Sequence, residues 1–322
     1  SALRITNGKG EKPSAASNLK QLAMAGSISL NLGGGAARGF AHIGAIRALK
    51  EHDIRFDHLI GISMGAICGG VYAVMPDVDF LEKRLKQLIN FEPFRDSVVG
   101  SWTSSQQETP RSFVRRAQKI VSSTNILRRI FTATGVLTAA EVHGVLHPFI
   151  ADVAMSSAEI PFATAAVNIR NGELRVFRGA DRLRPAVCAS ASMPLIFPPE
   201  KIGSEWYVDG GVLDKLGVET AARVGAERVV VFDVSDEKLP DSLPKSGFDV
   251  MLKTEEIASE HRRNVQLERA SLVIKPIKGN FHWADYSAAD DFMQMGYEAA
   301  NANMHDIRGV ANNRRLFGLF RR

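Results

Sequence analysis

Gly61-Ile62-Ser63-Met64-Gly65 sets a serine between two glycines in a G-x-S-x-G pattern. A serine hydroxyl becomes a nucleophile when a sharp strand-to-helix turn exposes it beside a base, and small flanking residues are what such a turn tolerates. Gly33-Gly34-Gly35-Ala36-Ala37-Arg38-Gly39 is a second candidate, a run of small residues whose backbone N–H groups can converge on an anion. A dinucleotide fingerprint fails there on spacing. G-x-G-x-x-G counted from Gly33 meets Arg38, and counted from Gly34 it meets Ala36. An oxyanion hole fits better, with the loop N–H groups and that of Met64 facing the charge that develops in acyl transfer. The third stretch, Asp209-Gly210-Gly211, follows Trp206-Tyr207-Val208 and puts a carboxylate at a strand end, where it could take a serine proton. Asp-Gly is equally a common hairpin turn. Histidine is the usual base for serine, and His42 is the nearest of eight in motif terms. Its place on the helix after the glycine loop also suits a structural hydrogen bond.

These stretches need elements to hold them. Ser27 to Leu32 reads as a strand ending in the glycines, with a helix from about Gly39 to His52. Asp57 to Ile62 reads as a second strand and Met64 to Val74 as a small, apolar helix closed by Pro76. A helix is expected over Phe80 to Ile89 and a polar loop, a candidate lid, over Asn90 to Thr109. Further strands are expected at Phe162 to Asn168, Leu174 to Phe177, Arg228 to Val234 and Ser271 to Pro276. Strands alternating with helices imply a mainly parallel α/β sheet. One domain over 27–309 is the simplest organisation, preceded by a polar leader (1–26) and followed by a basic tail (310–322).

Taken together and in this order, the three motifs resemble the patatin-like phospholipases, and most closely the bacterial branch similar to the catalytic domain of neuropathy target esterase. Gly39-Phe40-Ala41-His42-Ile43-Gly44, Ala189-Ser190-Ala191-Ser192-Met193-Pro194, Pro198-Pro199 and Gly296-Tyr297-Glu298-Ala299-Ala300 extend the resemblance over roughly Ser27 to Ala300. It implies a three-layer α/β/α sandwich and a Ser-Asp dyad, with Ser63 as nucleophile and Asp209 as general base. Gly33, Gly34, Gly35, Ala36, Arg38 and Gly39, with Met64, would form the oxyanion hole. Gly61, Gly65, Gly210 and Gly211 would support the turns. The resemblance implies no metal and no cofactor. Two departures stand out: Ala36 where many relatives carry another glycine, and Asp214-Lys215-Leu216-Gly217 where asparagine and proline are common.

The expected reaction is ester hydrolysis of phospholipids, lysophospholipids or related acyl lipids through an acyl-enzyme. A non-catalytic lipid-binding protein on the same fold and an acyltransferase remain open alternatives. Composition is that of an ordinary globular protein, 45% hydrophobic and 23% charged, with no run approaching the ~20 apolar residues a spanning helix needs. The net charge of +5 suits an anionic partner. Basic residues are dispersed apart from clusters at Arg111 to Lys119, Arg128-Arg129 and Arg314 to Arg322, and no zinc-finger or RRM signature occurs, which argues against nucleic acid. The mixed basic and apolar stretches at Phe113 to Phe131 and Arg314 to Arg322 suit peripheral contact with a membrane surface, and equally a core-packed helix and a disordered end. Cys68 and Cys188 lie in apolar segments, which fits a reducing compartment rather than a disulfide framework. A cytoplasmic or peripheral-membrane location is expected, with a secreted or periplasmic form left open. Composition leaves the oligomeric state undetermined.

Overall fold

A computed structural model describes residues 26–97, 99–100, 124–235, 243–279 and 281–312. The basic stretch 113–123, residues 98 and 101–109 of the expected loop, the leader up to residue 25 and the tail from 313 lie outside these residues. Among the described residues eight strands form one sheet: β1 (Ile28–Leu32), β2 (His58–Gly61), β3 (Phe162–Asn168), β4 (Leu174–Phe177), β5 (Glu200–Ile202), β6 (Glu205–Asp209), β7 (Arg228–Phe232) and β8 (Leu272–Ile274). Their order is β5-β6-β3-β2-β1-β7-β8, with β4 paired to β3. Strands β3, β2, β1, β7 and β8 are mutually parallel, whereas β4 and β6 run antiparallel to β3 and β5 antiparallel to β6.

Six helices bear on the site: α1 (Ala41–Glu51), α2 (Met64–Val74), α3 (Leu183–Ser190), α4 (Gly211–Asp214), α5 (Gly247–Leu267) and α6 (Ala289–Ala302). The strands alternate between two cores, as the period of two in a pleated sheet requires. Ile28, Leu30, Leu32, Phe162, Ala166, Val230 and Phe232 pack with α1, α2, α3 and α6 on one face. Ile60, Ala163, Val229 and Val231 pack on the other with Leu216, the helix Val218–Val224 and Leu267 at the end of α5. A sheet covered on both faces by helices is the expected α/β/α arrangement.

Strand β1 departs from a wholly apolar reading on one face, where Ser29 and Asn31 are both fully buried. They satisfy each other and the neighbouring loop: Ser29 donates to Asn31 Oδ1 (2.8 Å), and Asn31 Nδ2 donates to the Leu216 carbonyl (3.0 Å). Several boundaries differ from expectation. The segment after the glycines begins with a 3-10 turn, Ala36–Phe40, before α1 starts at Ala41. The helix expected over Phe80 to Ile89 spans Val78–Asn90 because Asp77 caps it, accepting from the N–H groups of Asp79 and Phe80. The expected loop after it contains a helical turn, Glu92–Arg95. No helix among the described residues is long and apolar enough to cross a membrane.

Candidate active site

The register of β3 explains how Ser63 and Asp209 meet. Thr164 pairs with Gly61 of β2 and with Phe177 of β4, while Ala166 and Val167 pair with β4 and with β6. Since a strand has two edges, β4 occupies one and β2 and β6 share the other. Strand β2 runs along that edge until Gly61 lies opposite Thr164, and β6 runs the opposite way until Asp209 lies opposite Ala166. Two C-terminal ends therefore face each other across two residues of β3. Ser63 leaves one and Asp209 closes the other.

The serine sits on a strained turn, with φ 56° and ψ −121°, a region that non-glycine residues avoid at a cost of about 1–3 kcal/mol. Its two flanking glycines are required by backbone contact. A β-carbon on Gly61 would lie 2.2 Å from the Gly65 carbonyl oxygen, and one on Gly65 would lie 2.0 Å from that of Leu32. Ser63 is half-buried beside the Asp209 carboxylate, which is itself 6% exposed. Burial pushes the Asp209 carboxyl up to about 6, against the opposing influence of the Ser63 side chain, the Gly211 N–H and the positive charge of Lys215. The Gly211 N–H donates to Asp209 Oδ1 at 2.7 Å. Gly210 has no room for a side chain, because a β-carbon there would meet the Ala165 carbonyl oxygen at 2.2 Å.

The glycine loop contributes fewer donors than its sequence suggested. Gly33 N–H donates to the Phe232 carbonyl (3.2 Å), Gly34 N–H to that of Lys215 (3.0 Å) and Arg38 N–H to that of Gly35 (3.2 Å). Gly33, Gly34 and Arg38 thus have their amides committed to carbonyls within the fold. The amides of Gly35, Ala36 and Met64 have no acceptor among the described residues. Gly34 instead supplies clearance, since a β-carbon there would lie 3.2 Å from Ser63 Cβ, and Gly39 makes room for the Met64 side chain. Ala36, the departure from glycine, holds φ 48°. The Arg38 guanidinium is buried behind the loop, where burial lowers it to about 10 despite the attraction of Asp233. Asp233 is fully buried with Arg263 of α5 as ion-pair partner.

His42 takes the structural role. It is fully buried, its Nε2–H donates to the Gly33 carbonyl (2.8 Å), and burial lowers it to about 4, so it is neutral at pH 7. Among the described residues the Asp209 carboxylate accepts from the Gly211 N–H, and no histidine is hydrogen-bonded to it. The unusual stretch after Asp209 has its own logic. Asp214 is buried and caps the helix Val218–Val224, accepting from the amides of Glu219 (3.1 Å) and Thr220 (2.7 Å) and from the Thr220 hydroxyl (2.6 Å). Gly217 holds φ 69°, which proline cannot adopt. Residues that motif reading did not single out also act here. Asn31 and Gln266 anchor the segment between Asp209 and Gly217, Gln266 by accepting from Leu216 N–H and donating to the Leu213 carbonyl. The Ser63 N–H donates to Ser190 Oγ (3.1 Å).

Residues 30–222 match the model of the family described as patatin-like phospholipase. Among relatives, an uncharacterised NTE-family protein of Mycobacterium tuberculosis is 28% identical over 208 residues, covering 65% of this chain and 49% of that protein. The lysophospholipase NTE1 of Debaryomyces hansenii is 26% identical over 241 residues, covering 73% of this chain and 14% of that protein. The chain therefore spans about half the length of the mycobacterial relative it matches. Among solved structures, VipD from Legionella pneumophila aligns with a TM-score of 0.43 at 16% identity, over 87% of this chain and 66% of that one. With a family model matched over more than half its length, the chain belongs to the patatin-like phospholipase family.

Proposed function

We propose that the protein is a serine acyl hydrolase that cleaves carboxylic ester bonds of phospholipids, lysophospholipids or related acyl lipids, meeting them at a membrane surface. The observation that carries this reading is the convergence, on one edge of β3, of Ser63 on its positive-φ turn and the buried Asp209 carboxylate, whose proton affinity the Ser63 side chain lowers. A carboxylate in water is too weak a base for serine, and burial raises the proton affinity of Asp209 toward the working range. Family membership and the lysophospholipase named among the relatives support the lipid substrate.

Ser63 Oγ bonds to the ester carbonyl carbon as its proton passes to Asp209, and the carbonyl electron pair moves onto oxygen. That oxyanion accepts from the Gly35, Ala36 and Met64 amides. Collapse breaks the bond to the alcohol, which leaves with the proton from Asp209, and the acyl group stays on Ser63. Water then attacks the acyl-enzyme with Asp209 again as base, releasing the fatty acid and restoring the hydroxyl.

The test is hydrolysis of a medium-chain p-nitrophenyl ester and of a phospholipid. Ser63→Ala and Asp209→Asn are each expected to lower kcat by at least about 10³-fold, whereas His42→Ala retains the chemistry in whatever fraction folds. Activity that survives Ser63→Ala would reject the nucleophile. A wild type that binds lipid but turns over no ester would favour the non-catalytic reading, and transfer of label to added lysolipid would identify a transferase.

A further inference from the structure

Ser190 and Ser192 stand at the end of α3, 0% and 2% exposed. A buried hydroxyl is costly unless it is hydrogen-bonded, so its partners indicate why it is there. Ser192 Oγ closes the helix end by donating to the Cys188 carbonyl (2.9 Å). Two further bonds of this short span leave the helix and reach both halves of the dyad. Ser190 Oγ accepts the Ser63 N–H (3.1 Å), and the Ser192 carbonyl accepts the Asp209 N–H (2.9 Å).

This matters because β2 and β6 meet end to end along one edge of β3, and neither strand pairs with the other. Sheet hydrogen bonds alone do not fix the gap between Ser63 and Asp209. The positive-φ turn also takes the Ser63 N–H away from the strand ladder, leaving a donor that needs an acceptor from elsewhere. We propose that Ser190 is a positioning residue for acyl transfer: its hydroxyl accepts the Ser63 N–H while the Ser192 carbonyl accepts the Asp209 N–H, so that one span sets the distance between nucleophile and base. This assignment rests on the proposed hydrolase reading.

The experiment compares wild type, Ser190→Ala, Ser190→Thr and Ser190→Cys on a p-nitrophenyl ester, with Ser63→Ala as the dependence control. Ser190→Ala is expected to lower kcat about 10- to 100-fold with KM within twofold, which corresponds to about 1.4–2.7 kcal/mol. Ser190→Thr, which keeps the acceptor, recovers at least part of that loss. Displacing Ser63 from Asp209 removes the side chain that lowers the carboxyl's proton affinity, so the acid limb of the pH profile moves up in Ser190→Ala. Val224→Ala, a core truncation in the opposite layer, supplies a loss of Tm without movement of that limb. Should Ser190→Ala fail to fold, Ser190→Cys, similar in size and a weak acceptor, gives the same readout at smaller amplitude. Folded Ser190 variants with wild-type kcat and an unmoved acid limb would overturn the assignment alone. A wild type inactive on every ester, or one indifferent to Ser63→Ala, would overturn the hydrolase reading and this assignment with it.

Discussion

Asp209 carries a charge where charge is disfavoured, and that conflict is what fits it to be a base. Its carboxyl, raised to about 6 by burial, is ionised above that value and protonated below it. A base must be ionised to accept the serine proton, so kcat/KM is expected to rise with pH and level off above a midpoint near 6. Lys215 opposes the effect of burial on Asp209, and its own ammonium is disfavoured by burial and by Arg38 and Arg263. Removing that charge in Lys215→Met should shift the acid limb upward, while Lys215→Arg leaves it near the wild-type position. A pH–rate profile with a midpoint near 4, unmoved in Lys215→Met, would show that Asp209 is not the titrating group. The turns at Ser63 and Asp209 were legible in the sequence as glycine patterns, although only Gly61 answers a contact within a few residues, while Gly65 and Gly210 clear the Leu32 and Ala165 carbonyls. The donor set was legible only in outline. Which amides remain open depends on the Phe232 and Lys215 carbonyls, nearly two hundred residues away. Asn31 and Gln266 share that difficulty, since each acts through a distant backbone group and no local pattern marks it; Ser190 lies in a family-like stretch, but its bond to the Ser63 N–H is not visible there.

Elements were legible where one physical signal dominated. Small apolar residues between Ser63 and Pro76 predicted Met64–Val74, and the helix has those bounds. The longest helix among the described residues, α5, is not marked in the sequence, since most of its length is exposed or half-exposed and only Arg263 and Gln266 are buried. Those two tie it to the site, Arg263 through Asp233 and Gln266 through the loop after Asp209. The crossing of α1 and α6 depends on glycine as well. A β-carbon on Gly296 would lie 1.8 Å from the Ala41 carbonyl oxygen, and one on Gly44 would lie 1.8 Å from that of Met293. Backbone cannot yield as a flexible side chain does, so even Gly296→Ala must push the helices apart, at a cost of about 3 kcal/mol. Urea unfolding should show a lower midpoint with an unchanged m-value. A midpoint equal to wild type would mean that the helices do not pack this closely in solution. Because α1 continues from the glycine loop, their separation is also expected to reduce kcat.

Across the whole molecule, the alternation of strands and helices made the layered architecture readable, but the strand order was not. The pairings of β3 with β4 and β6 depend on which edge each reaches, and β6 reads in sequence only as a short strand before Asp-Gly. Charge is the property at this scale that composition does give. The chain carries a net charge of +5, and an acyl hydrolase of bilayer lipids must reach its substrate at an interface. Exposed apolar side chains on α5, including Val250, Met251 and Ile257, give that face a capacity for non-polar contact that charge alone lacks. Electrostatic attraction to an anionic surface is screened as the Debye length falls from ~10 Å at 0.1 M salt to ~3 Å at 1 M. Cosedimentation with vesicles containing anionic phospholipid should therefore be strong at low ionic strength, fall several-fold by about 0.5 M salt, and be weaker at every salt concentration with purely zwitterionic vesicles. Hydrolysis of a water-soluble p-nitrophenyl ester should change little over the same range, since it requires the dyad but no surface. Vesicle binding that ignores both salt and lipid charge would assign association to the apolar face alone, and the absence of binding under all conditions would leave a hydrolase of dispersed or protein-delivered lipids.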